Sequence, residues 1–368
     1  MSTESRRLSR RRRGPHRRLV PYRSRLERVD KTLLKRQLFN VVKVAVSLGI
    51  LTYLVLHTFH KYPESFHQLQ SEPKNWLLLI AAWLIMSAAV MTTFFRWYLL
   101  VRVLALPFSL RDAFRLGFVG YFFNLISLGI VGGDLFKAMF LAREQPGHRT
   151  EAVATVVVDR VVGVYGLLLV ASAAIAFSDV SKLSDNVSKL CEGTLAITAF
   201  ATVVLLLLLM GFGTQDKLVG RLCQVRHIGP FLERLVVTAR TYRLQKRVLA
   251  QALLLTLGVH CLGAVAFYLI AEGLPGERPN LATHFFIIPL GMVAGAIPLP
   301  MAALGAFEGV LQFLYRQTGG GVAKGLVVAL VYRFITLLVG TVGIVFYVRT
   351  RQDLKQVLEE SRRLREGK

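Results

Sequence analysis

Acidic and arginine residues recur in the same order at two places in a strongly apolar chain. At the first, Phe122-Phe123-Asn124 leads to Gly132-Gly133-Asp134 and then to Asp159-Arg160. At the second, Phe285-Phe286 leads to Gly305-Ala306-Phe307-Glu308 and then to Tyr332-Arg333. Asp134 and Arg160 are 26 positions apart, and Glu308 and Arg333 are 25 apart. Each ionisable group placed in an apolar span costs roughly 2.5–3.5 kcal/mol on insertion scales, so keeping several at matched places needs a reason. Carboxylates there can hold a cationic group, a proton or a guanidinium. Guanidinium groups can grip a phosphate, whose oxygens match their planar fork.

The elements that must position these groups are membrane spans. The chain has 368 residues, 54% of them hydrophobic. Apolar runs at 39–59, 76–95, 152–177, 194–212, 249–271 and 326–348 approach the ~20 residues that cross a bilayer. Two further apolar regions, 113–131 and 284–313, are interrupted by glycine and proline. The expected fold is all-α: a polytopic helical membrane protein.

A net charge of +24 would suit a nucleic-acid binder, but its distribution does not. Basic residues crowd the N-terminus (Arg6, Arg7, Arg10–Arg13, Arg17, Arg18), the loop 217–247 and the tail after Arg349. Basic loops flanking spans are what cytoplasmic retention and anionic headgroups select. Cys191, Cys223 and Cys261 are scattered, with no CxxC and no zinc spacing, so no disulfide framework, metal site or cofactor is expected. The basic N-terminal stretch is too long for a cleavable signal peptide and reads as a disordered cytosolic tail.

With both termini cytoplasmic, the charge rule closes only if each broken region returns to the face it left. The first then turns at 129–133 and returns through 135–142, while the second dips around Pro298 and Pro300. Two halves result, 39–177 and 178–348, each made of span, span, hairpin and span. A basic cytosolic loop lies at 214–248, a basic tail at 1–38 and a second tail at 349–368. Glu308 follows Asp134 by 174 positions and Arg333 follows Arg160 by 173. The hairpins are expected to enter from opposite faces, as in inverted-repeat transporters with broken helices at the midplane. Spanning hairpins would leave every other segment's orientation unchanged.

Blander roles compete with the functional ones. Asp134 could simply cap the helix after Gly132-Gly133. Asp159 and Arg160 diverge by about 100° on a helix and cannot pair with each other, so each needs a partner elsewhere. Asp134 and Glu308 are the obvious candidates, in static salt bridges or around a substrate. Gly132, Gly133, Pro298, Pro300, Gly305 and Gly309 are expected at the hairpin breaks, while Gly291 and Gly295 serve close packing. Asn124, Lys137 and Arg143 are expected to meet headgroups, with Lys137 and Arg143 at the surface. His260 reads as a hydrogen-bonded packing residue, and the segment 231–247 as an interfacial helix.

These residues resemble the lysylphosphatidylglycerol synthase transmembrane-domain family, the flippase-like membrane part of multiple peptide resistance factors. The matching signatures are Gly132-Gly133-Asp134 with Lys137, Asp159-Arg160 with Gly163, and Gly305…Glu308-Gly309 leading to Arg333. The likeness covers 39–348. The family's Pro-Gly-rich run before the second acid is weaker here, as Pro298-Leu299-Pro300 and Leu304-Gly305-Ala306-Phe307. The resemblance implies movement of a polar-headed lipid, aminoacylated or polyprenyl-phosphate-linked, between leaflets. Relatives that make the aminoacylated lipid carry a soluble synthase domain after the membrane part, which is not expected here.

The resulting expectation is a lipid transporter of a bacterial inner membrane. Asp134, Asp159, Arg160, Glu308 and Arg333 would bind an anionic phospholipid or polyprenyl-phosphate-linked lipid, with no nucleotide motif to power it. No catalytic residue is assigned and aminoacyl transfer is not expected. The alternatives are a membrane enzyme using the three acids on a lipid-linked substrate, and a scaffold for a partner synthase. A homo-oligomer is compatible with either.

Overall fold

A computed structural model describes residues 71–126, 132–145, 148–178, 184–210, 242–296 and 306–366, with parts of 52–68; side chains are described only as far as Val348. The main helices are α1 (Trp76–Val103), α2 (Leu110–Ile126), α3 (Gly132–Glu144), α4 (Arg149–Ala176) and α5 (Asp185–Met210). They are followed by α6 (Lys246–Gly273), α7 (Leu281–Ala296), α8 (Ala306–Gln317) and α9 (Val322–Glu366). No strand occurs among the described residues. Among the described residues, five helices are long and apolar enough to cross a membrane: α1, α4, α5, α6 and the 323–348 part of α9. Most of the expected span at 39–59, the basic tail, and nearly all of the loop 214–248 with its interfacial helix lie outside the described residues.

Side-chain caps mark where helices begin. Asn75 Oδ1 accepts from Leu78 N at 3.3 Å to open α1, and Asn280 Oδ1 accepts from Thr283 N at 2.8 Å to open α7. Ser109 and Asp112 cap reciprocally before α2: Ser109 N donates to the carboxylate while Asp112 N donates to the hydroxyl, each at 3.2 Å. Along the spans the apolar side chains face outward as well as inward. Ile197, Phe200, Val203 and Leu206 on α5, and Leu337 and Val345 on α9, are exposed large hydrophobics. So broad an apolar exterior is incompatible with water and suits acyl chains.

Both broken regions are antiparallel helical pairs. In the first, Gly133 N donates to Asn124 Oδ1 at 2.8 Å near the tip, and Arg115 meets Glu144 at 3.5 Å near the base. A Cβ on Gly133 would run into the Gly120 carbonyl, so glycine at both positions lets the two backbones touch. In the second, His284 Nε2 lies 2.7 Å from Tyr315 Oη, and Gly291 faces Leu314 and Phe307. Over their described residues these helices run 17, 13, 16 and 12 residues, shorter than the ~20 a crossing needs. The expected breaks at Pro298, Pro300 and Gly305 lie outside the described residues.

The helices pair reciprocally. α1 lies antiparallel along α6: Asn75 N donates to Gly273 O at 2.9 Å at one end, and Tyr242 Oη donates to Leu100 O at 2.7 Å at the other. α2 of the first half packs on α9 of the second, where Phe118 stacks on Phe346 at 5.8 Å beside Gly343. In return, α7 of the second half packs on α4 of the first.

Three placements differ from expectation. Gly309 sits inside α8 rather than at a break, because that helix already begins at Ala306. Asp134 is two residues inside α3 and not at its cap, since the helix starts at Gly132. The span expected to stop at Phe95 continues to Val103, carrying Arg96 into the buried interior.

Candidate functional site

Each repeated acid pairs with the arginine of its own half. Arg160 Nε is bound to Asp134 Oδ2, joining α4 to the first turn of α3. Arg333 donates to Glu308 Oε1 from Nε at 3.0 Å and from Nη2 at 2.5 Å, joining α9 to the first turn of α8. Both acids therefore sit at helix N-terminal ends, where the helix dipole favours negative charge. The settings differ in wetness. Glu308 is fully buried, whereas the Arg160 side chain is 43% exposed.

Asp159 belongs to a third cluster that its spacing did not disclose. Arg96 Nε donates to Asp159 Oδ1 at 2.8 Å and Arg96 Nη2 to the Asp159 carbonyl at 3.3 Å. Arg96 Nη1 donates to Thr256 Oγ1 at 2.9 Å, so one guanidinium ties α1, α4 and α6 together. Gly163, one turn beyond Asp159, lies against the same guanidinium: a Cβ there would stand in ordinary contact, 3.4 Å from Arg96 Nη2. His260 is a packing residue as expected, with Nε2 3.1 Å from the Gly163 carbonyl.

The three clusters surround one cavity of about 500 Å³, with Glu308 behind Arg333. Its wall is built from α1, α2, α3, α4, α6 and α9, and carries Arg96, Asp134, Lys137, Asp159, Arg160 and Arg333. Arg160 and Arg333, from different halves, thus face the same space. Tyr121, Asn124, Tyr332, His260, Thr93 and Thr336 add to its polar lining.

Lys137 is not at the surface. It is 8% exposed, with Nζ over the rings of Trp97 at 5.2 Å and Phe94 at 5.7 Å. It lies one turn after Asp134, on the α3 face turned towards α1, and so it points inward. Asn124 acts first on the chain itself, holding the start of α3, although it also reaches the cavity. Arg143, in the last turn of α3, is not among the residues lining the cavity.

A larger apolar pocket of about 990 Å³ lies across the α4–α6 wall and is also lined by α7. Leu167 and His260 face the polar cavity, while Val170 and Cys261 face the apolar pocket. One wall therefore presents a charged side and a greasy side.

No curated protein sequence matches this chain. The family described as "Lysylphosphatidylglycerol synthase TM region" matches residues 40–343, which include both hairpins, all three ion pairs and the cavity between them. A multi-pass helical protein built in this way belongs to the lysylphosphatidylglycerol synthase transmembrane-region family.

Proposed function

We propose that the protein moves a phosphate-bearing lipid between leaflets, with the headgroup passing through the cavity shared by the two halves. The observation that carries this reading is that Arg160 and Arg333, one from each half, line a single polar chamber within an apolar exterior. Guanidinium groups match phosphate oxygens with their planar fork and keep their charge throughout. Asp134 and Glu308 hold the arginines in place while no lipid is bound, and each arginine can turn from its carboxylate to the incoming phosphate. The apolar pocket across the α4–α6 wall gives the acyl chains a path beside the headgroup.

Hairpins dipping from opposite leaflets would let the chamber open alternately to either side, as in other transporters with inverted repeats. The basic termini and loops fit a bacterial inner membrane with both ends in the cytoplasm. On this reading the protein is a transporter and not an enzyme.

Reconstitution into vesicles with a fluorescent anionic phospholipid tests the proposal. Leaflet exchange is expected in the wild type and should fall at least tenfold in Arg160→Gln and in Arg333→Gln. Exchange unaffected by both substitutions would rule the cavity out as the route. Covalent change in the lipid would point to an enzyme instead.

A further inference from the structure

Among the described residues, every carboxylate at the chamber is already taken by an arginine: Asp159 by Arg96, Asp134 by Arg160 and Glu308 by Arg333. Lys137 is the remaining cation of the wall. Among the described residues no carboxylate lies within ion-pair distance of its Nζ, which meets only the faces of Trp97 and Phe94. Among the described residues, the groups around the chamber thus include four basic side chains, Arg96, Lys137, Arg160 and Arg333, against three acids. A buried charge without a counter-ion is costly, and an anion that supplies one is drawn in.

We propose that Lys137 is the principal anion anchor of the chamber and that the lipid it selects carries one net negative charge, as a phosphodiester headgroup with no amine. This inference rests on the transport reading above and narrows its substrate. A singly charged phosphodiester cancels the surplus at Lys137. A zwitterionic headgroup brings an amine that the chamber has no unpaired acid to receive. A lysylated headgroup, with a net positive charge, adds to the surplus and is disfavoured despite the family's name. The aromatic bed keeps the ammonium from swinging out to water, so the charge waits at a fixed place. Lysine serves here as a point charge for a phosphate that also reaches Arg160 across the same space.

Binding of short-chain lipids to the detergent-solubilised full chain tests the anchor. The probes are phosphatidylglycerol, lysyl-phosphatidylglycerol, phosphatidylcholine and inorganic phosphate, read by native mass spectrometry. The wild type should prefer phosphatidylglycerol over the other two lipids by roughly tenfold or more, and Lys137→Gln should lose that preference. Inorganic phosphate should compete weakly; competition as strong as the lipid's would overturn the lipid assignment. Should Lys137→Gln fold poorly, the order of lipids in the wild type decides alone, and a preference for the lysyl lipid overturns the proposal. Full selectivity in a folded Lys137→Gln would remove Lys137 from the site but leave transport standing. If no lipid binds and no exchange occurs, the transport reading fails as well.

Discussion

The Glu308–Arg333 pair should be strongly coupled, and a double-mutant cycle measures by how much. The Glu308 carboxylate is fully buried and the Arg333 side chain is 29% exposed, with two donors on one oxygen. Removing one member strands the other in the interior, which typically costs about 3–5 kcal/mol. Removing both strands neither. Glu308→Ala with Arg333→Ala should therefore cost less than the sum of the single changes, with a coupling of about 2 kcal/mol or more. The Asp134–Arg160 pair is an internal control, because its arginine side chain is 43% exposed and screened by water. Its coupling should be about 1 kcal/mol or less. Reversible unfolding in mixed micelles provides the four free energies of each cycle. Additive costs at Glu308 and Arg333, or a stronger coupling at Asp134 and Arg160, would refute this account of which pair is the buried one.

Further perturbations follow from the same packing. Gly133→Ala pushes a methyl into the Gly120 carbonyl, so the hairpin must open; exchange and thermal stability should both drop, as read by melting in detergent. Thr256→Val keeps the volume but deprives Arg96 Nη1 of its acceptor, which should cost about 1–3 kcal/mol in micelle unfolding. Tyr242→Phe removes the bond to the Leu100 carbonyl that clamps α1 on α6 and should cost about 1 kcal/mol in the same assay. Ala173→Trp fills part of the apolar pocket and should slow exchange in vesicles while leaving headgroup binding unchanged.

Duplication gave both acids and both arginines a common ruler and so singled them out in the sequence. Which acid meets which arginine was left open there and is decided by the packing, which pairs them within each half. The apolar spans were legible for the same elementary reason: lipid demands long unbroken runs. Arg96 was not, because a hydropathy reading ends a span at its first charge, whereas the helix runs on to Val103 and buries that charge against Asp159. No local signal placed it inside, since Phe94-Phe95-Arg96-Trp97-Tyr98 carries the aromatic and basic residues typical of a membrane edge. Lys137 was misplaced because the spacing after Asp134 fixes a helix face but not what that face meets. Only the packing of α3 against α1 decides that. The chamber itself draws on six helices from both halves, and no local pattern encodes such a meeting.

A cryo-electron microscopy map of the full chain in nanodiscs containing phosphatidylglycerol tests the central claim most directly. The account predicts a phosphate-sized density in the chamber, in contact with Lys137 and between Arg160 and Arg333. A chamber free of lipid in a preparation that still exchanges phosphatidylglycerol between leaflets, with lipid only around the outer helices, would contradict it.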